Sequence, residues 1–234
     1  LRYFFQDAFS GRAVSGSSTK FLVDSVCVDL KRTNHPISGT SVRKSIPWKN
    51  VPEIVAHSSI PRIAIVGAES TGKTTLAKAL ACVYNLAYVE EFGRIWCDKV
   101  CGVENLKYED MEYIAETQIL GERVGAFAYN SKNVIVCDTT PATTMFYSEI
   151  LFGRVSKKLL KMAGRHYDMI FVCDIDTPFV QDGTRSQEIR EWAETFYKIQ
   201  YPDAILLTGN NEERMSYVLA NLKRKGWMNM LQPN

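Results

Sequence analysis

Arg62-Ile63-Ala64-Ile65-Val66-Gly67-Ala68-Glu69-Ser70-Thr71-Gly72-Lys73-Thr74-Thr75 is the stretch that decides the fold. Its apolar run reads as a buried strand. Gly67 to Thr74 then match G-x-x-x-x-G-K-[ST] at every fixed position, and a helical stretch follows, so the context agrees with the letters. In such a loop the glycines let backbone N–H groups close around phosphates at the positive end of the next helix. Lys73 is placed to reach the β- and γ-phosphates, and Thr74 to put its hydroxyl on Mg²⁺. Gly67, Ala68, Glu69, Ser70, Thr71, Gly72, Lys73, Thr74 and Thr75 are the expected nucleotide-binding residues, with ATP and Mg²⁺ as the expected cofactors.

Downstream of this unit, short apolar runs alternate with longer helical ones, the pattern of a parallel α/β sheet. The strands are predicted at Arg62 to Val66, Ala87 to Glu90, Asn133 to Cys137, Asp168 to Cys173 and Ala204 to Leu207. Helices are predicted over about Lys73 to Tyr84, Glu109 to Tyr129, Thr143 to Phe152, Ser156 to Ala163, Ser186 to Gln200 and Asn211 to Lys225. In the longest, Met111, Ile114, Ala115, Gln118 and Ile119 follow helical spacing. Upstream, Leu1 to about Ile60 is irregular, with prolines at 36, 47 and 52.

Composition sets outer limits. A net charge of +2 in 234 residues calls for neither a nucleic-acid nor a membrane-surface partner. No apolar run approaches the roughly 20 residues that span a bilayer. Cysteines 27, 82, 97, 101, 137 and 173 lack paired C-x-x-C spacing, which argues against a structural zinc site and fits a reducing cytoplasm. A small-molecule substrate is the partner that remains, with the oligomeric state left open.

The carboxylate that completes a magnesium shell belongs at the end of a neighbouring strand, on the same sheet edge as the loop. Asp138 fits, and Asp174 is its rival. Glu90-Glu91-Phe92-Gly93-Arg94 after the second strand brings carboxylates and a guanidinium to that edge, where Glu91 would hold or deprotonate an acceptor hydroxyl and Arg94 offset charge. Arg185, in Asp182-Gly183-Thr184-Arg185, stands where a loop would close over a triphosphate. The expected catalytic set is Lys73, Glu91, Asp138 and Arg185, with Glu91 and Arg94 on substrate and Thr74 and Asp138 on metal.

Together these motifs resemble the kinase domain of the bifunctional NadR-type proteins, ribosylnicotinamide kinase joined to nicotinamide-nucleotide adenylyltransferase. The matching segments are Gly67 to Thr75, Glu91-Phe92-Gly93-Arg94, Asp138-Thr139-Thr140 with Thr143-Thr144, and Thr177-Pro178-Phe179-Val180-Gln181-Asp182-Gly183-Thr184-Arg185. The resemblance implies a P-loop kinase fold, a five-stranded parallel sheet of order 2-3-1-4-5 with helices on both faces. It also implies ATP-dependent phosphorylation of nicotinamide riboside to nicotinamide mononucleotide in NAD salvage; the alternatives are another P-loop nucleoside or nucleotide kinase, or a non-catalytic ATP-binding regulator. Trp96, Tyr88 and Phe92 are candidate stacking partners for a planar base. Where the family has D-T-D, this chain has Thr140 in place of the second aspartate.

Ile37-Ser38-Gly39-Thr40-Ser41-Val42-Arg43 resembles the segment that closes the family's adenylyltransferase domain, and there Ser38, Thr40 and Arg43 would touch ATP phosphates. The H-x-G-H of that transferase is absent; the histidines are His35, His57 and His166. The expected division is residues 1–58 as a remnant of the transferase domain and linker and 59–234 as the kinase domain, without adenylyltransferase activity. Leu1 in place of methionine suggests an incomplete or processed sequence.

Overall fold

A computed structural model of the protein describes residues 60–128, 134–176 and 187–227, all within a compact unit that runs from Glu53 to Asn234. The elements along the chain are β1 (Arg62–Gly67), α1 (Lys73–Tyr84), β2 (Ala87–Val89), α2 (Phe92–Trp96), a π-helical turn (Cys97–Cys101), a 3-10 turn (Val103–Asn105), α3 (Asp110–Ala128), β3 (Ile135–Asp138), α4 (Pro141–Phe152), α5 (Lys157–Ala163), β4 (Met169–Cys173), α6 (Gln187–Gln200), β5 (Ile205–Leu207) and α7 (Asn211–Arg224). Arg185, the Thr177 to Arg185 motif and the Ile37 to Arg43 segment lie outside the described residues.

The sheet has the expected order, β2-β3-β1-β4-β5, and every pairing is parallel. Strands buried on both faces can be apolar at consecutive positions, as Ile63 to Val66 and Ile135 to Cys137 are. Alternation then sorts them. Ile63, Ile65, Val136 and Phe171 pack with Leu76 and Leu80 of α1 and Val218 and Leu222 of α7. Residues of the opposite phase, Ala87, Val89 and Ile135, meet α3, whose Gly121 and Gly125 have no side chain to keep it away.

Most predicted elements appear with ends moved by a residue or two. α4 starts at Pro141 and not Thr143, because proline suits the first helical turn, where its missing N–H has no partner to lose. The clear difference is residues 92–105, which carry no element in the sequence reading and hold α2, the π turn and the 3-10 turn in the structure. No described helix is long and apolar enough to cross a membrane.

Candidate active site

Because the strands are parallel, the carboxyl ends of β1, β3 and β4 share one edge, and the candidates among the described residues gather there. The loop leaves β1 at Gly67, opposite Cys173. A Cβ at Gly67 would stand 2.6 Å from the Cys173 carbonyl oxygen, and the backbone there has φ +146°, so only glycine fits. The loop re-enters regular structure at Gly72 with φ +82°. Within the turn the Ala68 carbonyl accepts from the Thr71 hydroxyl at 2.8 Å and from the Lys73 ammonium at 3.0 Å. Lys73 is thereby folded back over its own loop, and Thr74 is half-buried beside it.

Asp138 ends β3, pairs in register with Ile65 and is fully buried. Its Oδ2 accepts from the Tyr88 hydroxyl at 3.0 Å, while Oδ1 has no hydrogen-bond partner among the described residues. Leaving a buried carboxylate oxygen open costs on the order of 1–3 kcal/mol. The rival, Asp174, accepts the N–H of Ile175 at 2.9 Å, which is a local turn contact.

Glu91 precedes α2 and is half-buried. Burial pushes its carboxyl above the ordinary range; Lys73 and Arg94 oppose that, and the charges of Asp138 and Glu69 add to it. Lys73, Asp138, Glu69 and the exposed Arg94 thus all lie close enough to act on the Glu91 carboxyl. Glu90, next in sequence, instead faces solvent and pairs with Lys78 at 3.3 Å.

Several contacts escaped the sequence reading. The Tyr147 hydroxyl donates to Glu69 Oε1 at 2.6 Å, joining α4 to the loop. Thr139, at φ +75°, shares a short hydroxyl contact with Thr143, which is 2.7 Å from the Tyr197 hydroxyl. Thr140, where the family carries an aspartate, is buried and lies 2.8 Å from the Tyr201 hydroxyl. Gln118 accepts the Phe92 N–H at 2.8 Å and so fixes the start of α2. Of the aromatic candidates, Trp96 packs on Tyr113 with ring centroids 4.9 Å apart and Phe92 lies 6.1 Å from Trp96, whereas Tyr88 is committed to Asp138.

A cavity of about 340 Å³ lies beside β2, lined by Tyr88, Phe92 and Gln118. A larger one of about 760 Å³ opens at the opposite sheet edge, among His166, Asp168 and Arg224. None of the Gly67 to Thr75 residues lines the larger one, so chemistry and not volume locates the candidate site.

The profile of the family described as "AAA domain" matches residues 62–202. The chain belongs to this family. Two curated relatives of this AAA-domain chain are the proteins described as "Trifunctional NAD biosynthesis/regulator protein NadR", from Escherichia coli (strain K12) and Salmonella typhimurium (strain LT2). The first is 32% identical over 170 residues, covering 70% of this chain and 41% of the relative. The second is 31% identical over 172 residues, again covering 70% and 41%. The AAA-domain chain thus spans about two-fifths of the length of these relatives. Among solved structures, a NadR protein in complex with NR superimposes with a TM-score of 0.64 at 18% identity, covering 87% of this chain and 61% of that one. A NadR protein in complex with NAD and AMP-PNP gives 0.64 at 17%, covering 83% and 58%. The NadR relationship read from the motifs therefore extends across most of the AAA-domain chain, and its fold is that of a P-loop kinase.

Proposed function

We propose that the chain transfers the γ-phosphoryl group of ATP to a hydroxyl of nicotinamide riboside, yielding ADP and nicotinamide mononucleotide. The observation that carries this reading is the convergence of Lys73, Asp138 and Glu91 on one sheet edge, with one Asp138 oxygen buried and unpaired among the described residues. Lys73 moves from the Ala68 carbonyl to the β- and γ-phosphates. Thr74 and Asp138 supply hard oxygen ligands that suit Mg²⁺, and the open Oδ1 is the atom that fits it. When bound, that ion neutralises charge on the transferred group.

Glu91 accepts the proton of the acceptor hydroxyl, and its raised pKa makes it a stronger base than an exposed glutamate. Arg94 and Arg185 balance charge at the acceptor and on the triphosphate. Thr140 offers a hydroxyl that is engaged with Tyr201, and Asp138 is the one carboxylate of the D-T-T segment. Nicotinamide riboside is favoured because the curated relatives are described as NAD biosynthesis proteins and a structure of the same fold was solved with NR. The division at residues 58 and 59 and a cytoplasmic setting, consistent with free Cys82, Cys97, Cys101, Cys137 and Cys173, belong to the same proposal.

The test is ADP release from ATP and Mg²⁺ with nicotinamide riboside against a nucleoside panel, with Lys73→Ala as control. Selective turnover with nicotinamide riboside, lost in the variant, supports the reading. Selective turnover with another nucleoside replaces the substrate, and ATP binding without transfer to any acceptor replaces the enzyme by a nucleotide-binding regulator.

A further inference from the structure

The P-loop is held from below by a charged side chain that no sequence motif includes. Arg214 sits in the first turn of α7, whose start is fixed by a capping box between Asn210 and Glu213. It is 1% exposed, and both terminal nitrogens of its guanidinium are engaged, while Nε has no partner among the described residues. Nη1 donates to the Thr71 carbonyl in a short contact, Nη2 donates to the Asp174 carbonyl at 3.2 Å, and Nη2 also pairs closely with Asp176. Asp176 in turn accepts the Gly209 N–H just ahead of α7. The place a side chain at Gly72 would take is bordered by Asn211 Oδ1 at 3.3 Å and Arg214 Nη1 at 3.7 Å, so α7 abuts the loop there.

A trans peptide points its C=O and N–H in opposite directions. The Thr71 carbonyl and the Gly72 N–H belong to the same peptide unit. Anchoring the carbonyl toward α7 turns the Gly72 N–H toward the concave side of the loop, where phosphate oxygens would lie. We propose that Arg214 is a nucleotide-positioning residue: it orients the Thr71–Gly72 peptide so that the Gly72 N–H serves as a phosphate donor, and ties that orientation to the end of β4. This inference rests on the nucleotide-binding half of the function proposed above and not on the identity of the acceptor. Arg214 itself does not touch the phosphates.

The experiment compares wild type, Arg214→Lys, Arg214→Met and Asp176→Asn by competition of ATP and AMP against a fluorescent ATP analogue. Each Kd is measured well below the melting temperature, alongside the ¹⁵N–¹H resonance of the Gly72 amide with and without ATP. A charge-assisted hydrogen bond corresponds to roughly tenfold or more in affinity. Arg214→Met is expected to weaken ATP by about tenfold or more and to abolish the ATP-induced shift of the Gly72 amide, with AMP, which engages the loop least, little changed. Arg214→Lys, which keeps the charge but not the planar fork, is expected to fall between. Asp176→Asn, which leaves the Thr71 contact in place, should keep the Gly72 shift.

A purely structural role predicts lower melting temperatures with wild-type ATP affinity and a wild-type Gly72 shift in the folded variants; that result overturns the proposal. Should Arg214→Met fail to fold, the Gly72 shift in Arg214→Lys decides alone, and an unchanged shift overturns it. No ATP binding by wild type overturns the functional reading and this inference together, whereas binding with an unchanged Gly72 shift in both Arg214 variants overturns this inference only.

Discussion

Two buried carboxylates sit at opposite edges of the same sheet, and they are treated differently. Glu122 on α3 is fully buried beneath the amino ends of the strands: Oε1 accepts from the Tyr167 hydroxyl at 2.6 Å, and Oε2 from Arg165 Nε at 2.6 Å, with Arg62 Nε at 3.7 Å. Asp138 at the carboxyl edge is equally buried but has one phenol on one oxygen and nothing on the other among the described residues. Burial alone therefore does not separate a structural charge from a chemical one. Completeness of pairing does: one site is closed by the protein, and the other keeps an oxygen open among the described residues, as the metal-binding role proposed for Asp138 requires.

Exchanging carboxylate for amide at both positions breaks the comparison most directly. Asp138→Asn is expected to lower kcat by roughly 10³-fold, about 4 kcal/mol, in a steady-state ADP-release assay, with the melting temperature unchanged or higher because a buried charge is removed. Glu122→Gln should do the reverse. Arg165 and Arg62 lose their countercharge, stability falls by roughly 3 kcal/mol, and Tm drops by about 6–12 °C in differential scanning calorimetry, while the KM for ATP stays as it was. If both variants lose activity and stability alike, the distinction between the two edges is wrong.

Smaller changes sharpen the comparison. Tyr88→Phe leaves both oxygens of Asp138 open and is expected to destabilise by about 1.5 kcal/mol in urea titration. The smallest effect concerns Glu91, whose pKa is raised in the folded protein chiefly by burial. The folded state binds that proton more tightly than the unfolded state. Stability from this group is therefore full below the unfolded glutamate value and is lost as pH rises through the folded one. Glu91→Gln should accordingly raise Tm at pH 8 and not at pH 4, even as it removes the base, and thermal melts of both proteins at the two pH values would check the sign.

The nucleotide end was legible because its signal is local: the loop letters, the strand before and the helix after all fall between Arg62 and Tyr84. The sheet order followed from the family resemblance, whereas the spacing of apolar runs marked only where the strands lie. Residues 92–105 were not legible, because short helical turns of mixed type leave no period to read, and the start of α2 depends on Gln118, 26 residues away. Arg214 was invisible for the same reason on a larger scale, with Thr71 lying 143 residues earlier. Gln118 and Glu122 did leave a trace. They continue the stripe through Met111 and Ala115, so polar residues at core positions announced buried partners that the sequence could not name. At Thr140 the letter differed from the family pattern, but only the contact with Tyr201 tells what the new residue does.

The missing side chain at Gly67 carries one more consequence. Whatever replaces it collides with Cys173 of β4, whether or not a nucleotide is bound. A variant survey scored by growth would count Gly67 among the ligand contacts, and one scored by expression would count it among the packing positions. The two inventories would overlap at this residue, where a single deleted methyl group serves two clients, and disagreement between such surveys would mark where this enzyme-like edge ends and plain scaffold begins.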